Sequence, residues 1–319
     1  MKCLDVAVVD GRRQSVLVER ATPAPAAGEV LVRVASSGVN RADLHQIAGH
    51  YPPPPGEPEI LGLELSGTVE GSGERVCALV AGGAHAEYAA VPRGQLLPVP
   101  ERLSLADAAA IPEAFLTAYL NLALEGGLAR GGRALVHAGA SGVGLAAIRT
   151  AAYLGASVAA TTRSAAKLDA MRAAGAAVAI DSTAGSVAAA VEQAWGRDAV
   201  DVVLDPIGAA TLADDLAVLR PEGRVVVIAT MSGARAEVDL ALLMRKSARL
   251  VGSMLRARPR AEKAQIVARF RADVWPGFES GALAPDLDAR FPPERAAEAF
   301  DRVRENRNTG KVLIDWARG

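Results

Sequence analysis

Glycines in the stretch 133–149 have the spacing of a dinucleotide-binding turn. The apolar run 134–136 predicts a strand, and Gly139 follows it, then Gly142-Val143-Gly144 and Ala147 in the alanine-ended form of the G-x-G-x-x-G/A pattern. Glycines let backbone N–H groups approach a pyrophosphate, and the positive end of the following helix favours that anion. Ser141 lies in the same turn and is a candidate phosphate or ribose contact. Glycine-rich turns also occur for packing alone, so the elements around this turn decide whether it binds a dinucleotide.

A second cluster, Arg163, Ser164 and Lys167, follows the next predicted strand, 157–161. An NAD site usually has a carboxylate about 20 residues after the glycine turn to accept from the ribose hydroxyls. Here no carboxylate appears before Asp169, and the cationic and hydroxyl groups suit the ribose 2′-phosphate of NADPH. The alternative is that these are solvated residues at a helix start. The pattern favours NADPH.

The elements around the turn alternate between strand and helix. Strands are predicted at 177–180, 199–204, 224–229 and 249–253, with helices at 165–174, 186–195, 211–219 and 240–246. Strands such as 200–204 are almost uninterrupted apolar runs, as a parallel sheet covered on both faces requires. This is the pattern of a doubly wound α/β domain, whose ligand crevice lies beyond the strand ends. Residues just after those ends are Ser182, Asp205, Gly208, Thr230, Met231 and Met254.

The remaining segments predict a second, β-rich domain. Short strands at 6–9, 15–19, 29–35, 64–70, 74–80 and 85–91 are typical of a compact barrel or sandwich. A helix is expected at 41–48, an extended proline loop at 51–56, and a helical run at 105–122 that Pro112 breaks or kinks. Helices at 261–270 and 296–304 and a strand at 312–315 are too little for a separate domain, so this segment is expected to complete the first one.

Composition excludes several classes of protein. The 319 residues are 50% hydrophobic with a net charge of −1, and no basic block suggests a nucleic-acid partner. Asp5 and Asp10 interrupt any signal peptide, and no apolar 18-residue run predicts a membrane segment, so cytoplasmic residence is expected. The two cysteines, Cys3 and Cys77, form no C-x-x-C pair.

The chain resembles the medium-chain dehydrogenase/reductase superfamily, and within it the zinc-free NADPH:quinone oxidoreductases related to zeta-crystallin. The stretches that carry the resemblance are SGVNRADLHQ, YPPPPG, ILGLELSGTV, AAAIPEAFLTAY, HAGASGVG and NRNTGKVL. The run at 49–56 with IPEA and SMLRAR looks most like the tumour-suppressor-inducible quinone reductase branch. The resemblance implies a GroES-like β-barrel catalytic domain at 1–114, a Rossmann NADPH-binding domain at 115–253, and a return segment, 254–319, that completes the first.

The resemblance also implies a metal-free site. Zinc alcohol dehydrogenases of this superfamily have a cysteine and a histidine where this chain has Asn40 and Leu63, and neither replacement is a zinc ligand. Without zinc, hydride transfer from NADPH to a quinone or conjugated enone is expected. Asn40 is predicted to donate to the acceptor oxygen, or to cap the following helix. Tyr51 is a candidate proton or hydrogen-bond donor, or a packed aromatic, and Asp43 orients Asn40 or closes a capping pair.

Further contacts follow by resemblance alone. Thr117, Leu255 and Asn308 are expected to contact NADPH, and the backbones at 205–208, 230–231 and 254–255 to approach its carboxamide. Relatives often show Asn-Tyr where this chain has Asp181-Ser182, which removes a usual contact. The resemblance also implies a homodimer, in which the 249–253 strands of two copies pair. Two alternatives to the quinone reductase stay open: an enoyl or alkenal reductase, and a catalytically idle NADPH-binding protein.

Overall fold

The computed structural model describes residues 1–317, in two compact units. The first unit is Met1–Leu116 with the chain from Leu255 onward, and the second is Thr117–Met254. The first unit is left two residues after the boundary expected at 114, and the second unit ends one residue after the boundary expected at 253. The chain therefore leaves its N-terminal unit once and returns to it.

The helices and strands fall into three groups along the chain. From the N-terminus to residue 125 they are β1 (Lys2–Val9), β2 (Arg12–Glu19), β3 (Glu29–Val39), α1 (Arg41–Ile47), β4 (Glu64–Val69), β5 (Arg75–Leu79), β6 (Tyr88–Pro92), a 3-10 helix (Arg93–Gln95), β7 (Leu96–Pro98), a 3-10 helix (Asp107–Ala110), α2 (Pro112–Tyr119) and a π-helix (Leu120–Glu125). The middle of the chain holds β8 (Arg133–Val136), α3 (Gly142–Tyr153), β9 (Ser157–Thr162), a 3-10 helix (Ala165–Lys167), α4 (Leu168–Ala174), β10 (Val178–Asp181), α5 (Val187–Trp195), β11 (Val200–Asp205), α6 (Leu212–Val218), β12 (Leu219–Val227), α7 (Leu240–Lys246) and β13 (Arg249–Gly252). The return segment holds α8 (Arg260–Asp273), α9 (Trp275–Ser280), β14 (Leu287–Phe291), a 3-10 helix (Pro293–Arg295), α10 (Ala296–Arg304) and β15 (Lys311–Asp315).

The first unit is built on a seven-stranded sheet in which β3 is the central strand. The order is β14-β15-β3-β4-β5-β7, with β6 also paired to β3, and β1 and β2 form a separate hairpin. Strand β15 of the return segment runs antiparallel to β3, with Val312 opposite Val39. This pairing brings Lys311, at the start of β15, to the end of β3 where α1 begins. The core of the unit includes Leu65, Val91 and Phe300.

The second unit is a six-stranded sheet with every neighbouring pair parallel. Its order, β10-β9-β8-β11-β12-β13, reverses direction at β8, which is the doubly wound order of dinucleotide-binding domains. Leu135, Val203 and Val225 are fully buried because helices cover the sheet. The predicted doubly wound domain is confirmed.

Some predicted elements differ from the structure. The run 105–122 is divided at Pro112, which is the predicted break: a 3-10 helix precedes it, and Pro112 begins α2, which continues as a π-helix. Proline is favoured in the first turn, where its missing N–H has no partner to lose. The short strands β7 and β14 and the helix α9 were not predicted. β7 has only three residues, too few to show a period, whereas β14 (LDARF) does alternate apolar and polar residues, a local signal that indicates a strand.

Candidate active site

The glycine turn of the second unit joins β8 to α3 and is closed by backbone contacts. Gly139 N–H donates to Thr161 O of β9 at 2.7 Å, and Ala138 adopts a left-handed φ of 52°. A Cβ on Gly144 would lie 2.3 Å from Ala138 O, so only glycine lets the helix start approach the turn this closely. Gly139 is similarly confined, because a Cβ there would lie 2.7 Å from Met171 Sδ.

The N-terminus of α3 has backbone donors available for a ligand. A helix leaves its first four N–H groups without intrahelical partners. Ser141 satisfies two of the N–H groups in this turn: its Oγ accepts from Gly144 N–H at 3.0 Å, and its carbonyl accepts from Leu145 N–H at 2.9 Å. The N–H groups of Gly142 and Val143 remain, and the Ser141 hydroxyl keeps its own proton to donate. This turn fits a pyrophosphate.

The predicted ribose-phosphate residues follow the end of β9. Arg163 is exposed, Ser164 and Lys167 are half-buried, and Lys167 N–H donates to Ser164 O at 3.0 Å as the chain enters α4. Ser182, after β10, donates from its backbone N–H and its hydroxyl to Thr162 O at 2.8 and 3.2 Å. These residues therefore lie just beyond the carboxyl ends of the neighbouring parallel strands β9 and β10.

Two further loops beyond the strand ends pair with each other. Asp205, fully buried, accepts from Ile207 N–H at 2.6 Å and from Gly208 N–H at 3.0 Å, so its carboxylate shapes its own loop. Ser232 N–H donates to Ile207 O at 2.8 Å, and Gly208 forms a bridge with Gly233. Thr230, Met231 and Met254 are exposed. Backbone groups, with Asp205 as their internal support, form this part of the strand-end surface.

A buried ion pair lies directly behind the glycine turn. His137 Nε2 is 2.7 Å from Asp215 Oδ1, and Nδ1 is 3.0 Å from Thr161 Oγ1. Burial lowers the pKa of His137, but the hydrogen bond and charge of Asp215 outweigh it and raise the pKa above its usual value. His137 thus ties the end of β8 to β9 and α6, and it is not exposed to a ligand.

In the first unit, Asn40 is at the centre of a buried charge network. Its Nδ2 donates to Gly38 O at 3.1 Å and to Glu64 Oε1 at 2.9 Å, and its Oδ1 accepts from Lys311 Nζ at 2.7 Å. Lys311 Nζ also lies 2.5 Å from Glu64 Oε1. Both amide protons are therefore engaged, and donation to an acceptor oxygen would require one to leave Gly38 or Glu64.

Asp43 closes the predicted capping pair and also joins a second buried chain of contacts. Its Oδ2 accepts from Asn40 N–H at 2.7 Å at the start of α1, and its Oδ1 accepts from Gly62 N–H at 3.2 Å. Oδ2 lies 3.4 Å from His85 Nε2, which is long for a hydrogen bond. Asp43 is 1% exposed, so it positions backbone and does not meet solvent.

Tyr51 is held by Arg256 of the return segment. Arg256 donates to Tyr51 O at 3.1 Å, to Ala81 O at 2.7 Å and to Gln46 Oε1 at 2.6 Å. Its guanidinium carbon lies 5.1 Å from the centroid of the Tyr51 ring. Burial and the charge of Glu113 raise the pKa of the Tyr51 phenol, so the hydroxyl keeps its proton at neutral pH.

Glu113, the second residue of α2, is the most perturbed acid beside this network. Its backbone N–H donates to Glu64 Oε2 at 2.8 Å. Burial and the Glu64 carboxylate raise the pKa of Glu113 to about 8, against the opposing charge of Lys311. At neutral pH it is mainly a neutral carboxylic acid.

The structure brings some predicted residues together and separates others. Asn40 and Asp43 share one network, and the turn residues 139–144 share another. Thr117 is buried, and its carbonyl accepts from Asn121 Nδ2 at 2.7 Å. Leu255 is buried in the first unit, and Asn308 Nδ2 donates to Gly310 O at 2.8 Å.

Sequence reasoning missed Lys311, Arg256 and Glu113 as candidate site residues. Lys311 and Glu113 lie inside the quoted stretches NRNTGKVL and AAAIPEAFLTAY, and Arg256 lies in SMLRAR. Only Glu113 is marked as a charged residue within an apolar stretch, since polar residues precede Lys311 and another arginine lies near Arg256. Sequence does not say which of many such residues become buried together.

Residues 1–317 show neither a metal-binding cluster nor a membrane-spanning helix. No group of three or more His, Cys, Asp or Glu side chains in this range is arranged to hold a metal ion. Leu63 and Asn40 stand where the zinc alcohol dehydrogenases have metal ligands. The Leu63 side chain has no donor atom, and the Asn40 amide is fully engaged in hydrogen bonds. None of the helices in the same range has the length and apolar character needed to cross a membrane.

Comparison with known proteins agrees with both units. Residues 142–271 match the family described as zinc-binding dehydrogenase, and residues 26–101 match the alcohol dehydrogenase GroES-like domain. The chain is 30% identical to the bovine (Bos taurus) quinone oxidoreductase-like protein 2, over 95% of this chain and 89% of the relative. This protein belongs to the medium-chain dehydrogenase/reductase superfamily, among its quinone oxidoreductase-like members.

A solved structure and a larger relative extend the comparison. The quinone oxidoreductase from Thermus thermophilus, described with its NADPH complex, superposes with a TM-score of 0.84 at 34% identity, covering 99% of this chain and 100% of the other. A spectinabilin polyketide synthase system protein from Streptomyces orinoci is 33% identical over 91% of this chain, which matches 13% of that protein. The GroES-like and Rossmann-type expectations are confirmed.

Proposed function

We propose that this protein is an NADPH-dependent reductase that reduces quinones without a metal ion. The observation that carries the proposal is the capped glycine turn at the first crossover of a doubly wound sheet, with the N–H groups of Gly142 and Val143 available to a pyrophosphate. The quinone oxidoreductase relatives support the acceptor class.

The choice of NADPH over NADH rests on the residues after β9. Arg163, Ser164 and Lys167 offer cationic and hydroxyl groups at the sheet edge, and Asp169 is the first carboxylate beyond them. A guanidinium binds a phosphate dianion through charge-assisted hydrogen bonds. The Thermus thermophilus relative was solved with NADPH, which supports the same choice.

The metal-free chemistry assigns distinct roles to the first-unit residues. When bound, the nicotinamide supplies a hydride. Tyr51, with its proton retained and its loop fixed by Arg256, donates a hydrogen bond to the acceptor oxygen. Asn40 acts as a positioning residue that holds Glu64 and Lys311, and Asp43 holds the start of α1. Quinones suit such a site because their delocalised charge reduces the need for a Lewis acid.

The other residues proposed to contact NADPH do so mainly through their backbone. Gly139, Gly142, Val143 and Gly144 provide backbone at the pyrophosphate, and Ser141 adds its hydroxyl. The remaining proposed contacts are Thr117, Ser182, Asp205, Gly208, Thr230, Met231, Met254, Leu255 and Asn308. Asn40, which resemblance places beside the nicotinamide, keeps the positioning role given above because its amide is already engaged. For Asp205 the contribution is support of the loop backbone at 206–208, since its carboxylate is already used there.

The test is a rate measurement with NADPH and NADH against benzoquinones, naphthoquinones, alkenals and a crotonyl thioester. We expect NADPH oxidation that is fastest with a quinone, and slower with NADH. No oxidation with any acceptor would leave only an idle NADPH-binding protein. Faster reaction with NADH would contradict the role given to Arg163, Ser164 and Lys167.

A second candidate is reduction of an activated carbon–carbon double bond. Besides the quinone oxidoreductases, nearly the whole chain matches one stretch of a polyketide synthase system protein, so acceptors other than quinones are to be tested. The same hydride donor serves both reactions, and the acceptor is selected by pocket shape. Preference for the crotonyl thioester or an alkenal over every quinone would establish this candidate and reject the first.

We also propose a homodimer formed through β13. This strand is at the edge of the six-stranded sheet, and Leu250 and the nearby Met244 are 40% and 77% exposed. An unpaired edge with apolar neighbours is a template for pairing with a second copy. Leu250→Asp is expected to give a monomer in light scattering, while Val8→Asp, at an exposed apolar residue of β1, leaves the dimer intact. A wild-type monomer would reject the proposal.

A further inference from the structure

His137, directly after β8, is a buried polar side chain to which the proposed function gives no role. It is 3% exposed, and its imidazole has a partner on each side. Nδ1 lies 3.0 Å from Thr161 Oγ1 of β9, and Nε2 lies 2.7 Å from Asp215 Oδ1 of α6. The backbone N–H of His137 also donates to Leu204 O of β11 at 3.1 Å. His137 therefore links the end of β8 to β9, β11 and α6.

His137 lies at the point where the strand order of this sheet reverses. Strands β8 and β11 are neighbours there, and the chain continues from them in opposite directions across the sheet. In doubly wound sheets the ligand crevice opens beyond the strand ends at this point. The glycine turn follows β8 and the loop 206–211 follows β11, so we expect these two segments on either side of the crevice.

On the β9 side, the imidazole is connected to the glycine turn. Thr161 contacts His137 through its hydroxyl, and its carbonyl accepts from Gly139 N–H at 2.7 Å. Ala138 joins His137 to Gly139 with a left-handed φ of 52°. The imidazole and the turn share one anchor on β9, so a shift of His137 also moves the backbone proposed to hold the pyrophosphate.

On the α6 side, the imidazole is connected to the loop after β11. Asp215 N–H donates to Thr211 O at 2.9 Å, so the Asp215 carboxylate lies one turn beyond the end of that loop. Thr211 Oγ1 lies 3.2 Å from Asp205 Oδ2, and Asp205 accepts from the N–H groups of Ile207 and Gly208. The position of α6 therefore determines the position of the loop.

Packing alone does not account for the pair of His137 and Asp215. Asp215 is fully buried, and its Oδ2 atom has no hydrogen-bond partner within residues 1–317. An unpartnered carboxylate oxygen is costly in such a place, and two apolar side chains of similar volume would fill it without that cost. Apolar side chains cannot supply hydrogen bonds, whose defined length and direction hold β8, β9 and α6 at one spacing.

We propose that His137 and Asp215 are positioning residues that hold the glycine turn and the loop 206–211 at the spacing that NADPH requires. The inference rests on the proposed NADPH site and does not depend on the identity of the acceptor. A dinucleotide meets both segments at once, with its pyrophosphate at the turn and its nicotinamide near the loop. If the spacing is lost, binding must also order the two segments, which weakens the affinity for the whole cofactor. A fragment that meets only the turn is not affected.

The test measures Kd for NADPH by fluorescence and Kd for adenosine 2′,5′-bisphosphate, which lacks the nicotinamide half, by calorimetry. Asp215→Asn removes the charge but keeps an oxygen that accepts from His137 at the same distance. Asp215→Glu keeps the charge but lengthens the link by one methylene. The His137→Phe/Asp215→Leu double variant keeps the packing and removes both hydrogen bonds of the imidazole. Asp214→Asn and Asp214→Glu, at the exposed neighbouring residue of α6, are the matched controls.

Asp215→Glu and the double variant should each bind NADPH about tenfold more weakly than wild type, with Kd for the bisphosphate unchanged. Asp215→Asn and both controls should bind both ligands like wild type. Urea unfolding of the double variant should give a midpoint close to wild type, because apolar residues replace both partners. Recovery of stability without recovery of NADPH affinity is the result that a purely structural pair does not give.

Wild-type NADPH affinity in Asp215→Glu would overturn the proposal, and this result does not depend on how the double variant folds. An equal loss for NADPH and the bisphosphate would also overturn it, since the pair would then support the second unit as a whole. A wild type that binds no NADPH would reject this inference and the proposed function together. A wild type that binds NADPH but reduces no quinone would reject the proposed acceptor alone, and the predicted differences in Kd would still decide the role of His137.

Discussion

The two units of the molecule build their candidate sites from different materials. In the second unit the proposed ligand contacts are backbone groups at the glycine turn and the loops at 206–208 and 230–233. In the first unit the proposed contact with the acceptor is a side chain, Tyr51, and the buried network of Asn40, Glu64 and Lys311 has a positioning role. Backbone donors suit a ligand whose phosphates are the same in every turnover, and side chains can be tuned for proton transfer.

The two sites also differ in the physical requirement that each places on the folded protein. A buried network must be charge-balanced and fully hydrogen-bonded, since loss of one partner leaves an uncompensated charge. A glycine turn is instead limited by space, because an added Cβ meets the backbone. The first site should therefore respond to changes of charge, and the second to changes of volume.

The largest effect is expected from Lys311→Met in the first unit. The substitution leaves Glu64 buried without its cation, which should lower the free energy of unfolding by about 3–5 kcal/mol. Urea unfolding measures this, with Lys2→Met as the control, because Lys2 forms a more exposed pair with Glu294. The Lys311→Met/Glu64→Gln double variant should lose less than the sum of the single losses. Equal stability of Lys311→Met and Lys2→Met would contradict the charge-balanced network.

In the second unit, Arg163→Ala should weaken NADPH binding selectively. Loss of a charge-assisted contact with the 2′-phosphate costs about 1.5–3 kcal/mol, or roughly tenfold to hundredfold in Kd. NADH affinity should not change, since NADH has no such phosphate. Arg172→Ala is the control, because Arg172 is paired with Asp169 on the exposed side of α4. An equal loss for both cofactors would show that Arg163 does not select NADPH.

Gly144→Ala should disturb the turn through a purely steric effect that is smaller than the effects of Lys311→Met and Arg163→Ala. Its Cβ would lie 2.3 Å from Ala138 O, so the helix start must shift, at a cost of about 1–3 kcal/mol. NADPH affinity should fall while kcat at saturating NADPH stays close to wild type. Gly185→Ala has open space around its Cβ and is the matched control. Unchanged NADPH binding in Gly144→Ala would contradict the close approach at the turn.

Sequence patterns predicted the second unit well because its signals are local. The strand-to-helix alternation, the apolar parallel strands and the glycine spacing each lie within a short stretch, and the observed strand order agrees with them. The first unit was predicted at the level of its β-rich class and its returning segment. The three residues of β7 are too few to show a period, whereas the alternation of β14 (LDARF) is a signal that the sequence does carry.

The charge network could not be predicted because it is not local. Asn40 and Lys311 are far apart in sequence and meet only because β15 pairs with β3. Asn40 was identified from family resemblance, but its hydrogen-bond partners depend on Glu64 and Lys311 being buried together. The raised pKa of Glu113 also depends on burial and on the nearby Glu64 carboxylate. Sequence alone names the residues, and the fold determines which proton each one keeps.

The most direct test of the division between the units is a side-by-side measurement of KM for NADPH and kcat in Gly144→Ala and Tyr51→Phe, with a naphthoquinone as acceptor. Gly144→Ala should raise KM for NADPH with little change in kcat. Tyr51→Phe should lower kcat with little change in that KM, because only the hydrogen bond to the acceptor oxygen is lost. If both variants change the same parameter, the assignment of cofactor binding to the second unit and of acceptor binding to the first is wrong.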